Sequence, residues 1–260
     1  MDRQYLETIL GDRLSTLLLS VQVFETLPST NQTLWQLIDQ GASGGTVVVA
    51  RQQTAGRGQW GREWQSSLGG LYLSIALNVN LAAEDAAQLT MGSAWGIATA
   101  LRGLGIPVEI KWPNDLILMG KKLGGILTET RVQQGKIVKA VVGVGINWDN
   151  LVPETGINLR SFLATSDEKA IASLEMLAAI TLEGLISGYQ FVAAEGIEDL
   201  LPLYLELLCI QNRPAMVNGK TGTIVGVTPT GELRVHWQNL DGIEAETCFP
   251  PGTIRLGYDS

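Results

Sequence analysis

Residues 108–146 read VEIKWPNDLILMGKKLGGILTETRVQQGKIVKAVVGVGI, and this stretch decides the fold. Short apolar runs rich in Val and Ile are separated by tight-turn residues, which is typical of consecutive β-strands. We expect strands over 108–112 and 116–119 on either side of a Pro-Asn-Asp turn. We also expect a hairpin of strands 123–132 and 136–146, joined by a Gln-Gln-Gly turn.

Other helical and strand patterns lie on both sides of this stretch. We expect strands at 21–25, 46–50 and 71–77. We expect helices from Ser29 to Gln40, over 84–104, from Thr165 to about Tyr189 and near 196–208. Three short C-terminal strands are expected at 221–227, 233–237 and 243–249. Ser29 with Gln32, and Thr165 with Glu168, fit the capping-box pattern of a helix start. The sequence therefore predicts a mixed α+β domain followed by a small β-barrel module.

The composition bounds the class of protein. Of the 260 residues, 45% are hydrophobic and 17% are charged, as in folded globular proteins. A net charge of −8 disfavours nucleic acid as a partner. One histidine and no CxxC pair argue against structural zinc. Because we find no signal-peptide pattern and no uncharged apolar run of about 18 residues, we expect a soluble cytoplasmic protein with free Cys209 and Cys248.

Residues 56–64 read GRGQWGREW and form the first candidate site. The glycines satisfy GxGxxG, but a strand instead of a helix follows them, which disfavours a dinucleotide-binding fold. Glycines let backbone N–H groups approach an anion, and Arg57 and Arg62 pair well with carboxylate or phosphate oxygens. Trp60 and Trp64 offer flat faces on which a ring can stack. A surface loop with solvated arginines is the alternative, and we favour ligand binding.

Two lysine-bearing segments form the second candidate site. Residues 111–115 read KWPND and residues 121–129 read KKLGGILTE. If these segments form a hairpin, Lys111 and either Lys121 or Lys122 reach one pocket, where a charged lysine neutralises a carboxylate or phosphate. A solvated sheet edge is the alternative, but the apolar neighbours of Lys111 favour a buried position.

Two further segments supply short polar side chains. Residues 141–148 read VVGVGINW, and alternating glycines in a strand mark a close approach to the backbone. Asn147 at the end of this strand is a candidate for orienting a polar ligand or a metal-bound phosphate, with a packed bend as the equal alternative. Ser29, Thr30 and Asn31 are candidates for reading a small polar head group such as a ureido ring. For Ser29, helix capping is the favoured alternative.

These segments, in this order, resemble the biotin–protein ligases. That family has a Ser-Thr-Asn opening, a GRGRxGRxW-like loop, KWPND, a KxxGIL strand and a GxGIN strand. The matching segments here are 29–31, 56–64, 111–115, 122–127 and 143–147. The combination is specific, although no single motif is. The resemblance implies a class II synthetase-like mixed-sheet catalytic domain over residues 1–210 and an SH3-like β-barrel over residues 211–260.

The resemblance also implies a ligase that forms a C–N bond in two steps. Biotin and ATP with Mg²⁺ give biotinyl-5′-AMP, and a lysine of a biotin carboxyl carrier protein of acetyl-CoA carboxylase then attacks the mixed anhydride. The implied biotin-binding residues are Ser29, Thr30, Asn31, Gln53, Arg57, Gly58, Gln59 and Lys122. The implied ATP-binding residues are Arg57, Arg62, Trp64, Lys111, Asn114 and Asn147. Lys122, Arg57 and Lys111 are the implied catalytic residues, and the protein itself contributes no metal ligand.

The sequence departs from the family in two places. Gln59 stands where the family commonly has arginine, which predicts weaker retention of the adenylate. About 20 residues precede Val21, too few for the DNA-binding winged helix of some members, so we expect the enzyme-only form. The family also often dimerises through a sheet edge, for which strand 136–146 is a candidate. Two alternatives stay open, a lipoate–protein ligase of the same fold class and a non-catalytic binding module.

Overall fold

The computed structural model describes residues 1–13, 19–166, 171–217, 219–238, 244–254 and 256–257. The helices within these ranges are α1 (Arg3–Arg13), α2 (Thr30–Asp39), α3 (Ala86–Arg102), α4 (Leu159–Thr165), α5 (Leu174–Glu195) and α6 (Ile197–Glu206). The strands are β1 (Ser20–Leu27), β2 (Thr46–Gln53), β3 (Leu71–Leu77), β4 (Leu81–Ala82), β5 (Glu109–Lys111), β6 (Asp115–Leu118), β7 (Lys121–Gln133), β8 (Lys136–Ile146), β9 (Pro214–Val217), β10 (Lys220–Val227), β11 (Leu233–Gln238) and β12 (Glu244–Phe249).

A mixed sheet organises the larger part of the chain. Its strand order is β1-β2-β3-β8-β7-β6-β5, and β4 pairs with β8. β1 and β2 run parallel, and the other neighbours are antiparallel. The predicted α+β class with a mixed sheet is confirmed. Since β8 lies between β3 and β7, strand 136–146 is not a free edge, and its candidacy as an edge-to-edge dimer interface was wrong.

Both faces of the sheet are covered, and β2 shows why the strands are so apolar. Val47 and Val49 belong to the large core that includes residues of α3 and α5. Val48 and Ala50 point to the opposite face, where they belong to a smaller core with Leu34 of α2. A strand buried on both faces reads as a continuous apolar run, because alternate side chains enter different cores.

Helices α3 and α5 pack closely against each other behind the sheet. A Cβ atom at Gly96 of α3 would overlap the carbonyl group of Gly184 on α5. α5 is long and apolar enough by composition to cross a membrane, but 61% of its most apolar window is buried inside the protein. The packing therefore explains the apolar composition of α5 as that of a core helix.

The two predicted capping boxes were wrong. Ser29 occupies the N-cap position of α2, but its side chain makes no capping hydrogen bond. Thr165 is the last residue of α4, and the remainder of the second box falls partly outside the described residues. The helix after it begins at Leu174, where the Ser173 hydroxyl accepts a hydrogen bond from the Met176 N–H.

The C-terminal strands form an antiparallel sheet in the order β12-β11-β10-β9. Within the described residues this sheet is open and does not close into the expected barrel, and the predicted turn at 239–242 lies outside them. Ile224 and Val235 of this sheet belong to the same large core as the helices. The Trp112 indole N–H also donates a hydrogen bond to the Gly231 carbonyl at 2.8 Å. The C-terminal sheet is therefore joined to the mixed sheet by both apolar and polar contacts.

Candidate active site

A cavity lies on the α2 face of the mixed sheet, at the ends of β7 and β8. Nearly all the residues predicted from the sequence line it. They are Ser29, Thr30, Asn31, Gln53, Arg57, Gly58, Gln59, Arg62, Trp64, Lys111, Asn114 and Lys122. Asn147 does not line the cavity, and neither does Lys121, the alternative to Lys122. The structure thus brings together segments that are separated by up to 93 positions in the chain.

Glycines make room for the cavity on the sheet itself. Gly143 and Gly145 of β8 lie on the same strand face as Val141, which packs in the α2 core. A Cβ atom at Gly143 would overlap the Asn31 side-chain oxygen, and one at Gly145 would lie 2.5 Å from the Trp64 Nε1. The alternating glycines therefore let two polar side chains approach the strand backbone, as the sequence predicted.

The turn that starts α2, residues 29–31, forms one end of the cavity. Gln53 at the end of β2 accepts hydrogen bonds from the Thr30 backbone N–H at 2.8 Å and from the Thr30 hydroxyl at 3.2 Å. The buried Ser74 hydroxyl lies 2.6 Å from Asn31 Oδ1 and 2.7 Å from Thr30 Oγ1. These buried polar groups are fixed by one another, so this end of the cavity is preorganised. Ser29 lines the cavity, and its hydroxyl does not cap the helix.

The glycine–arginine loop, residues 56–64, forms another wall of the cavity. The Gly58 N–H donates to the Arg62 carbonyl at 2.7 Å and closes the loop on itself. A Cβ atom at Gly56 would overlap the Ser66 hydroxyl, so only glycine fits there. Trp60 adopts a left-handed backbone conformation, with φ of 54°, and stays half exposed. The Arg57 guanidinium donates to Glu129 Oε1 at 2.6 Å.

The lysine hairpin, formed by β6 and β7, supplies Lys122 to the cavity. Lys122 Nζ lies 2.7 Å from Asp115 Oδ1 and 5.2 Å from the centroid of the Trp64 ring. Lys121, the alternative candidate, is exposed and does not line the cavity. The Asn114 amide donates to the Ile126 carbonyl at 2.6 Å, which holds the two strands of the hairpin together.

A segment after the last strand covers the cavity beside Lys111. Gly252, Ile254 and Leu256 line the cavity, and a Cβ atom at Gly252 would lie 2.5 Å from the Trp60 Nε1. Lys111 is 5% exposed, and its ammonium donates a hydrogen bond to the Gly257 carbonyl. No residue of the C-terminal segment was identifiable from the sequence as part of this site.

Asn147 acts behind the cavity wall. Its amide nitrogen donates to the Lys122 backbone carbonyl at 3.3 Å, and its oxygen accepts from the Asn150 amide at 3.0 Å. Sequence reasoning also missed Asp115, Glu129 and Ser74 as partners of predicted residues. Asp115 and Glu129 lie within the motifs at 111–115 and 121–129. The signal for Ser74 is weak, because it is a single serine within an apolar strand.

The electrostatics of the cavity suit an anionic ligand that carries a ring. Four cations, Arg57, Arg62, Lys111 and Lys122, and two carboxylates, Glu63 and Asp115, line it, so positive charge is in excess. Two buried atoms of its wall, Gln59 Oε1 and Trp64 Nε1, have no hydrogen-bond partner. Burial raises the pKa of the neighbouring Tyr72 hydroxyl, which stays protonated and donates to the Ser67 carbonyl at 2.7 Å.

The residues in the cavity fit charge stabilisation better than covalent catalysis. His236, the one histidine of the sequence, lies on β11 and does not line the cavity. In the described ranges, no group of three or more His, Cys, Asp or Glu side chains is placed to hold a metal ion. A cavity of this kind accelerates a reaction by positioning anionic groups and stabilising developing charge.

Comparison with known proteins relates one stretch of the chain to a protein family. Residues 23–147 match the biotin/lipoate A/B protein ligase family, and this stretch contains α2, the glycine–arginine loop and the lysine hairpin.

Relatives that match the chain in sequence are named as ligases, in agreement with the resemblance seen in the sequence. The chain is 38% identical over 125 residues to the bifunctional ligase/repressor BirA of Bacillus subtilis, covering 47% of this chain and 38% of the relative. It is 33% identical over 197 residues to BirA of Escherichia coli, covering 75% of this chain and 61% of the relative. The chain therefore spans less than two thirds of the length of either relative.

The fold comparison agrees. A solved structure of biotin protein ligase from Aquifex aeolicus in complex with biotin and ATP superposes with a TM-score of 0.66. It is 24% identical in sequence, and the match covers 88% of this chain and 95% of the Aquifex chain. At that identity the likeness concerns the fold.

Proposed function

We propose that this protein is a biotin–protein ligase. It activates biotin with MgATP to biotinyl-5′-AMP and pyrophosphate, and then transfers the biotinyl group to a lysine of a biotin carboxyl carrier protein. One observation carries the proposal. The preorganised turn 29–31, the four cations and the Trp64 ring face one cavity, which suits a ligand with a polar head, a carboxylate and a nucleotide.

Different residues of the cavity bind the two substrates, biotin and ATP. Ser29, Thr30, Asn31 and Gln53 bind the polar head of biotin, while Arg57, Gly58 and Gln59 close over the adenylate. Arg62, Trp64, Lys111 and Asn114 bind ATP with its Mg²⁺. Asn147 supports the ATP end through the Lys122 backbone instead of touching the ligand.

Lys122 has the central role in the first step. The biotin carboxylate attacks the α-phosphorus of ATP, a P–O bond forms, and the bond to pyrophosphate breaks. Negative charge builds on the α-phosphate oxygens, and the Lys122 ammonium stabilises it. Arg57 and Lys111 add positive charge on either side. In the second step the lysine amine of the carrier attacks the acyl carbon, and AMP leaves.

We also propose the finer organisation of the protein. Residues 1–210 form the catalytic domain, and residues 211–260 form a module related to SH3-like barrels, which the four short antiparallel strands favour. The partner is a carrier subunit of acetyl-CoA carboxylase, and the protein acts in the cytoplasm, as two unpaired cysteines favour. A homodimer stays a prediction, without an assigned interface.

Pyrophosphate exchange tests the function directly. The protein is mixed with MgATP, labelled pyrophosphate and either biotin or lipoate, and the label that enters ATP is measured. We expect exchange with biotin and little with lipoate. Exchange only with lipoate would assign the protein to lipoate–protein ligases, and no exchange with either would support a non-catalytic binding module.

A further inference from the structure

We infer that Glu129 is a positioning residue that couples the ligand-head end of the cavity to the glycine–arginine loop. Glu129 lies on β7, and its side chain is 27% exposed. Its two carboxylate oxygens serve different elements. Oε1 accepts from Arg57 of the loop at 2.6 Å, whereas Oε2 accepts from Asn31 at 3.1 Å and Trp35 at 3.0 Å, both on α2. This coupling of the ligand-head end to the loop rests on the proposed function in one respect, namely that the ligand is biotin.

The contacts continue from Asn31 to the far end of the same loop. Ser74 lies between Asn31 and Thr30, and Thr30 donates to Gln53. Gln53 Nε2 then donates to the Ser66 hydroxyl at 2.7 Å, and this hydroxyl donates to the Trp64 carbonyl at 2.9 Å. The path of hydrogen bonds therefore leaves the loop at Arg57, passes through the turn 29–31 and returns to the loop at Trp64.

The contacts fix the orientation of the Asn31 amide. Asn31 donates through Nδ2 to Glu129 and to the Leu127 carbonyl, so its Oδ1 faces the Ser74 hydroxyl. The Ser74 hydroxyl has one proton and can donate to either Asn31 or Thr30 at a time. A ligand head that forms a hydrogen bond with Thr30 or Asn31 determines which of the two accepts the Ser74 proton. Asn31 also donates to Glu129, and Glu129 accepts from Arg57, so the change at Asn31 reaches the loop through Glu129.

Only a carboxylate performs this function. A carboxylate accepts at both oxygens, whereas a glutamine amide accepts at one and presents donors at the other. Glu129→Gln therefore keeps either the hydrogen bond from Arg57 or the hydrogen bonds from the α2 donors, but not both. Asp39→Asn is a matched control, because the Asp39 carboxylate also joins α2 to β7, through Arg131, and does not line the cavity.

Trypsin cleavage after Arg57 and Arg62 reports the order of the loop without any ligand. In the ligand-free protein we expect Glu129→Gln to speed this cleavage about fivefold, the effect of losing one partly exposed charged hydrogen bond. Asp39→Asn should leave the cleavage rate unchanged. Glu129→Asp, which keeps the charge but shortens the reach, should act like Glu129→Gln and guards against a folding defect of one variant. Unchanged cleavage in both Glu129 variants would overturn the inference.

Biotin then tests the coupling. In the original protein saturating biotin should slow cleavage of the loop, while in Glu129→Gln biotin should bind with about tenfold lower affinity by calorimetry and protect the loop little at saturation. Full protection of Glu129→Gln at saturation would refute the coupling. If the original protein binds no biotin, the proposed function fails, and the ligand-free cleavage rates still decide whether Glu129 orders the loop.

Discussion

The Lys122 ammonium and the Asp115 carboxylate lie 2.7 Å apart within the lysine hairpin, and the ammonium lies 5.2 Å from the centroid of the Trp64 ring. The pair is partly shielded from water, with side chains 28% and 14% exposed. Asp115 therefore holds the cation in place before a ligand arrives. An anionic ligand has to compete with this carboxylate for the ammonium group, or accept hydrogen bonds from its remaining two N–H donors.

Lys122→Ala tests whether this cation stabilises the transition state. We expect biotin-dependent pyrophosphate exchange to fall by about 100-fold or more, because the charge on the α-phosphate loses its nearest partner. Lys121→Ala is the control, since it removes the same charge from the neighbouring exposed position. An equal loss in both variants would mean that general charge, and not the placement of Lys122, matters.

Gly143→Ala tests the close approach between β8 and Asn31. The added Cβ would overlap the Asn31 oxygen and displace it from Ser74. We expect biotin affinity, measured by titration calorimetry, to fall at least about tenfold as the preorganised turn shifts. Gly11→Ala in α1 serves as the control because no atom lies within 4 Å of its added Cβ. Biotin binding by Gly143→Ala at the original affinity would show that Asn31 is not needed there.

Gln59→Arg tests the main departure from the family. Gln59 Oε1 is buried without a partner, which is costly for a polar group. An arginine there removes the orphaned acceptor and adds a charge that attracts the adenylate phosphate. We expect labelled biotinyl-5′-AMP to dissociate severalfold more slowly in a pulse–chase experiment. Gln133→Arg, which adds the same charge at the exposed end of β7, should not change the rate.

An unchanged dissociation rate in Gln59→Arg would mean that position 59 does not contact the adenylate. A slower rate in both variants would indicate a long-range effect of charge. Repeating the experiment at higher salt separates these outcomes, because a long-range effect is screened more strongly.

Trp112→Phe tests how the C-terminal sheet is held. The substitution keeps an aromatic ring but leaves the Gly231 carbonyl without its donor. We expect the free energy of unfolding, measured in urea, to fall by about 1–2 kcal/mol. Trp237→Phe is the matched control, because its indole N–H bonds to Thr247 in an exposed position. A larger loss in the control would argue that the Trp112 bond contributes little.

Much of the fold was predictable because alternation and turn residues mark the strands locally. β3 matches its prediction at both ends, and the strands of 108–146 match within a few residues. Helix α1 was missed because Leu6 and Leu10 are the only buried residues among those of α1 whose burial is described, too few for a clear period. β9 was missed because it has four residues and begins with Pro214.

The site was predictable where its residues lie in compact motifs. Contacts between distant segments were not. Lys111 and Gly257 are 146 positions apart, and a backbone carbonyl carries no signal of residue type. Asn147 was assigned to the ligand because its motif suggested it, whereas in the folded chain its amide is directed to the Lys122 backbone. Sequence patterns thus identify which residues gather, but not which of them face inward.

The cover that Gly252 and Leu256 place over the cavity has a consequence for synthesis of the protein. The turn 29–31 leaves the ribosome before this cover does, because Gly252 and Leu256 follow it by more than 200 positions. A nascent chain can therefore fold the mixed sheet before it can enclose a ligand. Ligand binding thus stabilises the finished chain and gives no help to its earlier folding intermediates.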